Sequence, residues 1–260
     1  MANLEKHAPG TFSWAELGTT DAAGAKEFYA KLFEWTAEDM PMGEQGVYTI
    51  LKLNGLEVAA LYGLQEEQMK RGVPPHWLLY VAVSSADQTA ARATELGAKV
   101  HAGPFDVFDF GRMAVIQDPQ GAMFAIWQAG KHDGAQTREV TRRHCWSELA
   151  TTDLGKAQEF YTALFGWTTN KQQFGPMEYT MWVNQGTPVG GALQMDAQWK
   201  GAPPHWMAYF SVASIEESTQ KVSALGGAVC VPPTDIPGVG RFSVVNDPQG
   251  AVFSMIQPKG

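Results

Sequence analysis

The sequence has too little of several things to support some common functions. Two cysteines, Cys145 and Cys230, stand far apart, so neither a disulfide framework nor a Cys-based zinc site follows from them. No run of 18 apolar residues exists that could cross a bilayer, and the start, Met1 to His7, carries no apolar stretch resembling a secretory signal. Basic residues are the minority: 19 Lys and Arg against 27 Asp and Glu give a net charge of −8. No cationic surface is available to neutralise phosphates, which argues against nucleic acid or an anionic membrane as partner. Phosphate loops, nucleophile elbows and dinucleotide fingerprints are also missing. A cytoplasmic setting is expected, and self-association into a homo-oligomer is left open.

What is present is a repeat. Ser13-Trp14-Ala15-Glu16-Leu17 returns as Cys145-Trp146-Ser147-Glu148-Leu149, and Thr19-Thr20-Asp21 as Thr151-Thr152-Asp153, both 132 residues later. Further on the offset is 129: Pro74-Pro75-His76-Trp77 matches Pro203-Pro204-His205-Trp206, Tyr80 matches Tyr209, Gly111-Arg112 matches Gly240-Arg241, and Asp118-Pro119-Gln120-Gly121-Ala122 matches Asp247-Pro248-Gln249-Gly250-Ala251. The order never changes. Two domains are therefore expected, over residues 8–129 and 142–258, joined by a polar linker over residues 130–141.

Within a copy, Phe12 to Leu17 alternates as a strand does. Asp21 is an N-cap candidate for a helix whose apolar face is Ala25, Phe28, Tyr29, Leu32 and Phe33. Asn54-Gly55 between apolar runs predicts a hairpin, since the tight turn needs positive φ. The second half begins again with alternating Trp77, Leu79, Val81 and Val83. A helix opened by the capping pair Ser85 and Gln88 follows, and then strands around Lys99–His101, Arg112–Gln117 and Ala122–Gln128. Ser214 and Glu217 repeat the capping pair in the second copy.

This arrangement resembles the vicinal oxygen chelate superfamily, which includes glyoxalase I, bleomycin-resistance proteins and extradiol dioxygenases. Thr20-Asp21 before the first helix and Asp118-Pro119-Gln120-Gly121 before the last strand carry the resemblance, and both recur. Trp-x-Glu-Leu, Pro-Pro-His-Trp and Gly-Arg are similar to the two-domain glyoxalase-like branch. The resemblance implies an α+β fold of tandem glyoxalase-like domains. Four βαβββ modules would pair to form cup-shaped mixed sheets, though which modules pair is not legible.

The resemblance also implies a divalent metal at the base of the cup. The family's ligand positions fall here on Trp14 and Trp146, near Leu78 and Met207, on Ala125 and Ser254, and near Ala60 and Ala192. These side chains do not supply the imidazole and carboxylate donors such an ion needs, so no metal or other cofactor is expected.

Strand alternation turns Trp14, Glu16, His76, Tyr80 and Trp127 toward the first cup, and Trp146, Glu148, His205 and Tyr209 toward the second. An aromatic wall with few polar groups suits a planar or aromatic small molecule. Each of these residues has a structural alternative. The tryptophans can be core filling. Glu16 and Glu148 can be general bases or can form ion pairs with Arg112 and Arg241, which could otherwise clamp a substrate anion. His76 and His205 can complete an acid–base pair or can bond to backbone at the rim. Two functions remain: a metal-independent binder, or a lyase, isomerase or dioxygenase-like enzyme acting on a carbonyl or aromatic substrate through Glu16 and His76 or Glu148 and His205. A closed interaction protein is a third.

Overall fold

In a computed structural model, residues 6–43, 46–136, 141–174, 177–199 and 201–259 are described. The first repeat contains β1 (Phe12–Thr19), α1 (Ala22–Phe33), β2 (Thr36–Pro41), β3 (Val47–Leu53), β4 (Leu56–Gly63), a short α2 (Glu66–Lys70), β5 (His76–Ala82), α3 (Ala86–Glu95), β6 (Lys99–Val107), β7 (Gly111–Gln117) and β8 (Met123–Ala129). The second contains β9 (His144–Thr151), α4 (Leu154–Phe165), β10 (Thr168–Phe174), β11 (Met177–Asn184), β12 (Thr187–Gln194), a 3-10 turn (Ala197–Trp199), β13 (His205–Ser211), α5 (Ile215–Ala224), β14 (Ala228–Ile236), β15 (Gly240–Asn246) and β16 (Val252–Pro258). No helix among the described residues is long and apolar enough to cross a membrane.

The expected α+β architecture is present: four βαβββ modules in two mixed, cup-shaped sheets of eight strands. Their orders are β2-β3-β4-β1-β5-β8-β7-β6 and β10-β11-β12-β9-β13-β16-β15-β14. The first two modules thus share one sheet and the last two share the other, the pairing the sequence left open. Each module closes with a parallel pair. Glu16 lies opposite Ala60, Tyr80 opposite Ala125, Glu148 opposite Gly191 and Tyr209 opposite Ser254. The second-repeat residue matched to Ala60 is therefore Gly191, next to the Ala192 that the sequence suggests.

The local signals act as expected. Asp21 caps α1 through the Gly24 amide, Asp153 caps α4, and Ser85 and Ser214 cap α3 and α5. Asn54 and Gly55 both have positive φ (52° and 80°), the primed turn that matches strand twist.

The chain divides into two compact units that exchange repeats. One consists of Met1–Trp14, Leu79–Gly134 and Trp146–Met207, the other of Ala15–Leu78, Ala135–Cys145 and Ala208–Gly260. In the second of these, Tyr29 of α1 stacks near Phe33 and Trp35 and meets Trp77 and Phe253. In the first, Tyr161 of α4 does the same with Phe165, Trp167, Trp206 and Phe124. The helix of one repeat is thus buried against strands of the other, with wide aromatic rings at the contact.

Candidate functional site

The Asp-Pro-Gln-Gly motif has a local and a distant task. Asp118 Oδ1 accepts from the amides of Gln120, Gly121 and Ala122 and so holds the turn. Its Oδ2 accepts from the Tyr161 hydroxyl at 2.9 Å, and that hydroxyl in turn accepts from Trp206 Nε1. Asp247 repeats the turn and takes the Tyr29 hydroxyl, with Trp77 behind it. Trp77 and Trp206 therefore face the helices, as strand parity requires. Burial and the adjacent carboxylates push both tyrosines well above the ordinary phenol value. Desolvation raises Asp247 against the lowering effect of its hydrogen bonds.

The candidates fall into three groups. The first surrounds Glu16 and His76. Glu16 is 9% exposed, and its Oε2 accepts from the Tyr48 hydroxyl at 2.7 Å. Burial and the charge of Glu16 push the neighbouring Tyr62 up to about 12, and Gln68 Nε2 donates to that hydroxyl. His76 stands at the start of β5 with Nδ1 donating to the Pro74 carbonyl at 2.8 Å, the backbone-bonded rim arrangement. Burial lowers it from the ordinary histidine value. Because Nδ1 carries the proton, Nε2 is the acceptor of the neutral ring.

The second group is Trp14, Tyr80 and Trp127. Trp14 is 5% exposed, and Tyr80 and Trp127 are also buried. The Tyr80 and Trp127 rings meet edge to face at 6.4 Å, and Tyr80 Oη lies 4.0 Å from Met113 Sδ. The imidazole of His132, which the sequence placed in the linker, stands edge-on to Trp14 at 4.8 Å and to Trp127 at 6.0 Å. Trp127 Nε1 donates to the His132 carbonyl at 2.8 Å. The backbone amides of Gly130 and His132 donate to Phe110 O, and the His7 amide donates to Asp133. Gly134 has φ +123°, and a Cβ there would lie 2.4 Å from Ser13 O. Residues 130–136 are thus bonded to the fold rather than strung loosely between the repeats.

The third group lies in the second repeat, on β9, β11 and the start of β13. Trp146 Nε1 donates to Tyr179 Oη at 2.9 Å, and Tyr179 donates to Glu148 Oε2 at 2.8 Å. Trp146 and Glu148 are partly exposed, unlike Trp14 and Glu16. Tyr179 reaches Glu148 across Gly191, where a Cβ would lie 1.9 Å from its oxygen. His205 Nδ1 donates to Pro203 O, and its ring lies 6.0 Å from that of Trp199. Tyr209 is buried on β13.

The two arginines are elsewhere. Arg112 donates through Nε and Nη2 to Asp87 and through Nη1 to Asp106. Arg241 is held by Glu216 and Asp235. The expected ion pairs of Glu16 with Arg112 and Glu148 with Arg241 are replaced by tyrosine–glutamate hydrogen bonds. The Arg112 guanidinium, forked onto two carboxylates and the Pro104 carbonyl, is also a poor anion clamp, because its donors are largely engaged. Cys145 donates to Tyr209 O, and burial raises its thiol to about 11.

Tyr48, Tyr179, Trp199 and His132 were not among the residues singled out from the sequence. Tyr48-Thr49 and Tyr179-Thr180 are themselves a repeat match and could have been found. His132 has no such signal.

Comparison with known proteins agrees with this architecture. The family model "Glyoxalase/Bleomycin resistance protein/Dioxygenase superfamily" matches residues 11–126 and 141–255. A Mycobacterium bovis protein named "Putative glyoxylase CFP32" is 38% identical over 99% of this chain and 98% of its own length. "Anthracycline biosynthesis protein DauV" of Streptomyces sp. is 34% identical over 98% and 95%. Among solved structures, the Mn(II)-bound glyoxalase from Novosphingobium aromaticivorans superposes with TM-score 0.66 at 16% identity, covering 96% of this chain and 82% of that one. The 2,3-dioxygenase LapB from Pseudomonas sp. KL28 gives 0.66 at 11% identity over 98% and 94%. The chain belongs to the glyoxalase/bleomycin resistance protein/dioxygenase superfamily, as a tandem of two such domains.

Proposed function

We propose that this protein binds a planar, aromatic small molecule on the concave face of a cup, without the superfamily's divalent metal. The observation that carries this reading is the fate of the metal positions. On β1 and β9 they hold Trp14 and Trp146, and the latter's only nitrogen is engaged as a donor to Tyr179. Ala60 and Gly191 stand opposite the glutamates, and Ala125 and Ser254 stand opposite the tyrosines. Indole, methyl and thioether groups do not hold a hard or borderline ion. Among the described residues no three His, Cys, Asp or Glu side chains gather to replace them. This donor set does not fit the metal, and no step is routed through one. The aromatic surface left behind suits a flat ligand. The relatives named for anthracycline biosynthesis favour the same ligand class, since anthracyclines are planar polycyclic aromatics.

A second reading, an enzyme, is favoured by one observation. Glu148 is partly exposed, with its Oε2 held by the Tyr179 hydroxyl, so the carboxylate is oriented within reach of solvent. It would act as a general base on a carbonyl or aromatic compound.

The test is calorimetry with a panel of hydroxylated anthraquinones, before and after EDTA, alongside metal analysis of the purified protein. Saturable binding that EDTA leaves unchanged is expected. Stoichiometric, tight manganese, iron or zinc, or binding abolished by EDTA, would overturn the reading. Turnover of a bound ligand that Glu148→Gln abolishes would establish the enzyme instead.

A further inference from the structure

We propose that a cleft between α1 and the end of α5 is a further binding site, separate from the concave faces, and that its ligand is a protonated primary amine carried on a small apolar frame.

The cleft has a volume of about 360 Å³ and lies within a single compact unit, on the helix side of its strands. The buried ring of Phe28 is its floor, and Leu225 and Pro248 are apolar walls. Small residues keep it open. Gly24 and Ala224 line it, where the matched positions of the other repeat pairing hold Lys156 and Glu95. A Cβ on Gly24 would run into the Asp21 carboxylate and stand 3.0 Å from Gln249 Nε2. Glycine is what lets the Gln249 amide lie against the first turn of α1.

Gln249 itself supplies the main argument. Its counterpart Gln120 is occupied by the cap of α4: Oε1 accepts from the Asp153 amide at 2.7 Å and from Thr152 Oγ1 at 3.1 Å, and Nε2 donates to the Asp153 carbonyl at 2.8 Å. At the cleft the matched amide, that of Asp21, donates to Thr19 Oγ1 instead. Gln249 Oε1 is left buried with no hydrogen-bond partner among the described residues. A buried acceptor without a donor is costly, and this one belongs to a residue that lines a cleft.

The surrounding charge has the same sense. Glu27 lies at the rim, and its bond to Lys31, at 2.5 Å, holds it below the ordinary carboxylate value, so it is ionised. α5 ends at the cleft, and a helix C-terminus carries partial negative charge. The opposing charge, Lys31, is engaged by Glu27 and is 54% exposed to solvent. An ammonium group only donates. It can therefore meet Gln249 Oε1 and the Glu27 carboxylate while its apolar frame covers Phe28. A carboxylate would bring no proton to these acceptors.

The test uses the full chain with 2-phenylethylammonium, 2-phenylethanol and 3-phenylpropionate as probes, followed by amide NMR and by melting temperature. Saturable shifts at Gly24, Gly226 and the Gln249 side chain are expected, with the amine bound about tenfold or more tighter than the alcohol. Gln249→Leu should remove that preference. It keeps the backbone amide that Asp247 holds, so the turn persists, and deleting an unmatched acceptor should leave the melting temperature unchanged or raised. Gln120→Leu loses three bonds and should melt lower without altering amine affinity. Ala224→Phe, which fills the cleft, should abolish amine binding. The site is overturned by any of these results: no saturable shift, equal affinity for amine and alcohol, tighter binding of the carboxylate, or amine binding that survives Ala224→Phe. An equal loss of stability in Gln249→Leu and Gln120→Leu would also overturn it, by showing Gln249 to be bonded as its counterpart is. Binding of hydroxylated anthraquinones should not respond to Gln249→Leu, so this site and capture on a concave face stand or fall separately.

Discussion

The hydroxyl of Tyr29 donates to Oδ2 of Asp247, 218 residues away along the chain, at 3.0 Å. The repeat builds the same bond from Tyr161 to Asp118. Each carboxylate holds its own Asp-Pro-Gln-Gly turn with one oxygen and the other repeat's helix with the second. The turn motif is therefore also the point where the repeats engage.

Removing that hydroxyl with Tyr29→Phe leaves the ring packing in place but strips a buried carboxylate oxygen and Trp77 of a partner. A loss of about 1–3 kcal/mol is expected, read by urea unfolding, and Tyr161→Phe should behave alike. A loss below about 0.5 kcal/mol in both would show that the bond carries no net stability.

Asp247 titrates above the ordinary carboxylate value because burial disfavours its charge. The folded chain then keeps a proton that the unfolded chain has already released. This group's contribution to stability is therefore full below the ordinary carboxylate value and declines as pH rises through the folded one. Asp247→Asn should flatten that part of the stability–pH curve. Because the Tyr29 bond lowers the acid's pKa, carboxyl carbon NMR of Tyr29→Phe should show Asp247 moving higher still; a move downward would contradict the assignment.

Gly191→Ala places a methyl where Tyr179 must pass to reach Glu148. Overpacking of this kind costs about 1–3 kcal/mol, and displacement of the phenol should reduce affinity for a planar ligand. Ala60→Gly, at the matched place in the first domain, should not. Equal effects of the two substitutions on ligand affinity would mean that the Tyr179–Glu148 bond does not shape the site.

Arg112→Ala should shift the melting temperature by no more than about 2–4 °C, because its partners Asp87 and Asp106 are exposed and screened by solvent. Ligand affinity should stay unchanged. A marked fall in affinity would restore the anion-clamp role.

The strands, caps and turns that announced themselves did so through residue types with few conformational choices: Asp21 and Ser85 at helix starts, Asn54-Gly55 at positive φ, and apolar residues alternating on β5. Two elements gave no signal. The edge strand β2 is almost wholly exposed, so no apolar alternation marks Thr36–Pro41. The short α2 buries nothing. The candidate site was legible in part. Trp146, Glu148 and His205 were found by parity, whereas the partner of each glutamate was not. An arginine one module on and a tyrosine on a nearby strand fit that role equally well until register is known. Trp199 was hidden in a segment without periodicity.

The sequence by itself determined the duplication, the α+β modules and the side chains that stand where relatives hold a metal, because each follows from residue identity and local spacing. Tertiary structure alone decided which modules share a sheet, that Asp118 and Asp247 reach a tyrosine of the other repeat, and that His132 lies against Trp14 while Trp146 stays partly open. Those facts depend on where distant segments of chain come to rest, and a repeat with nearly identical local signals permits more than one such arrangement.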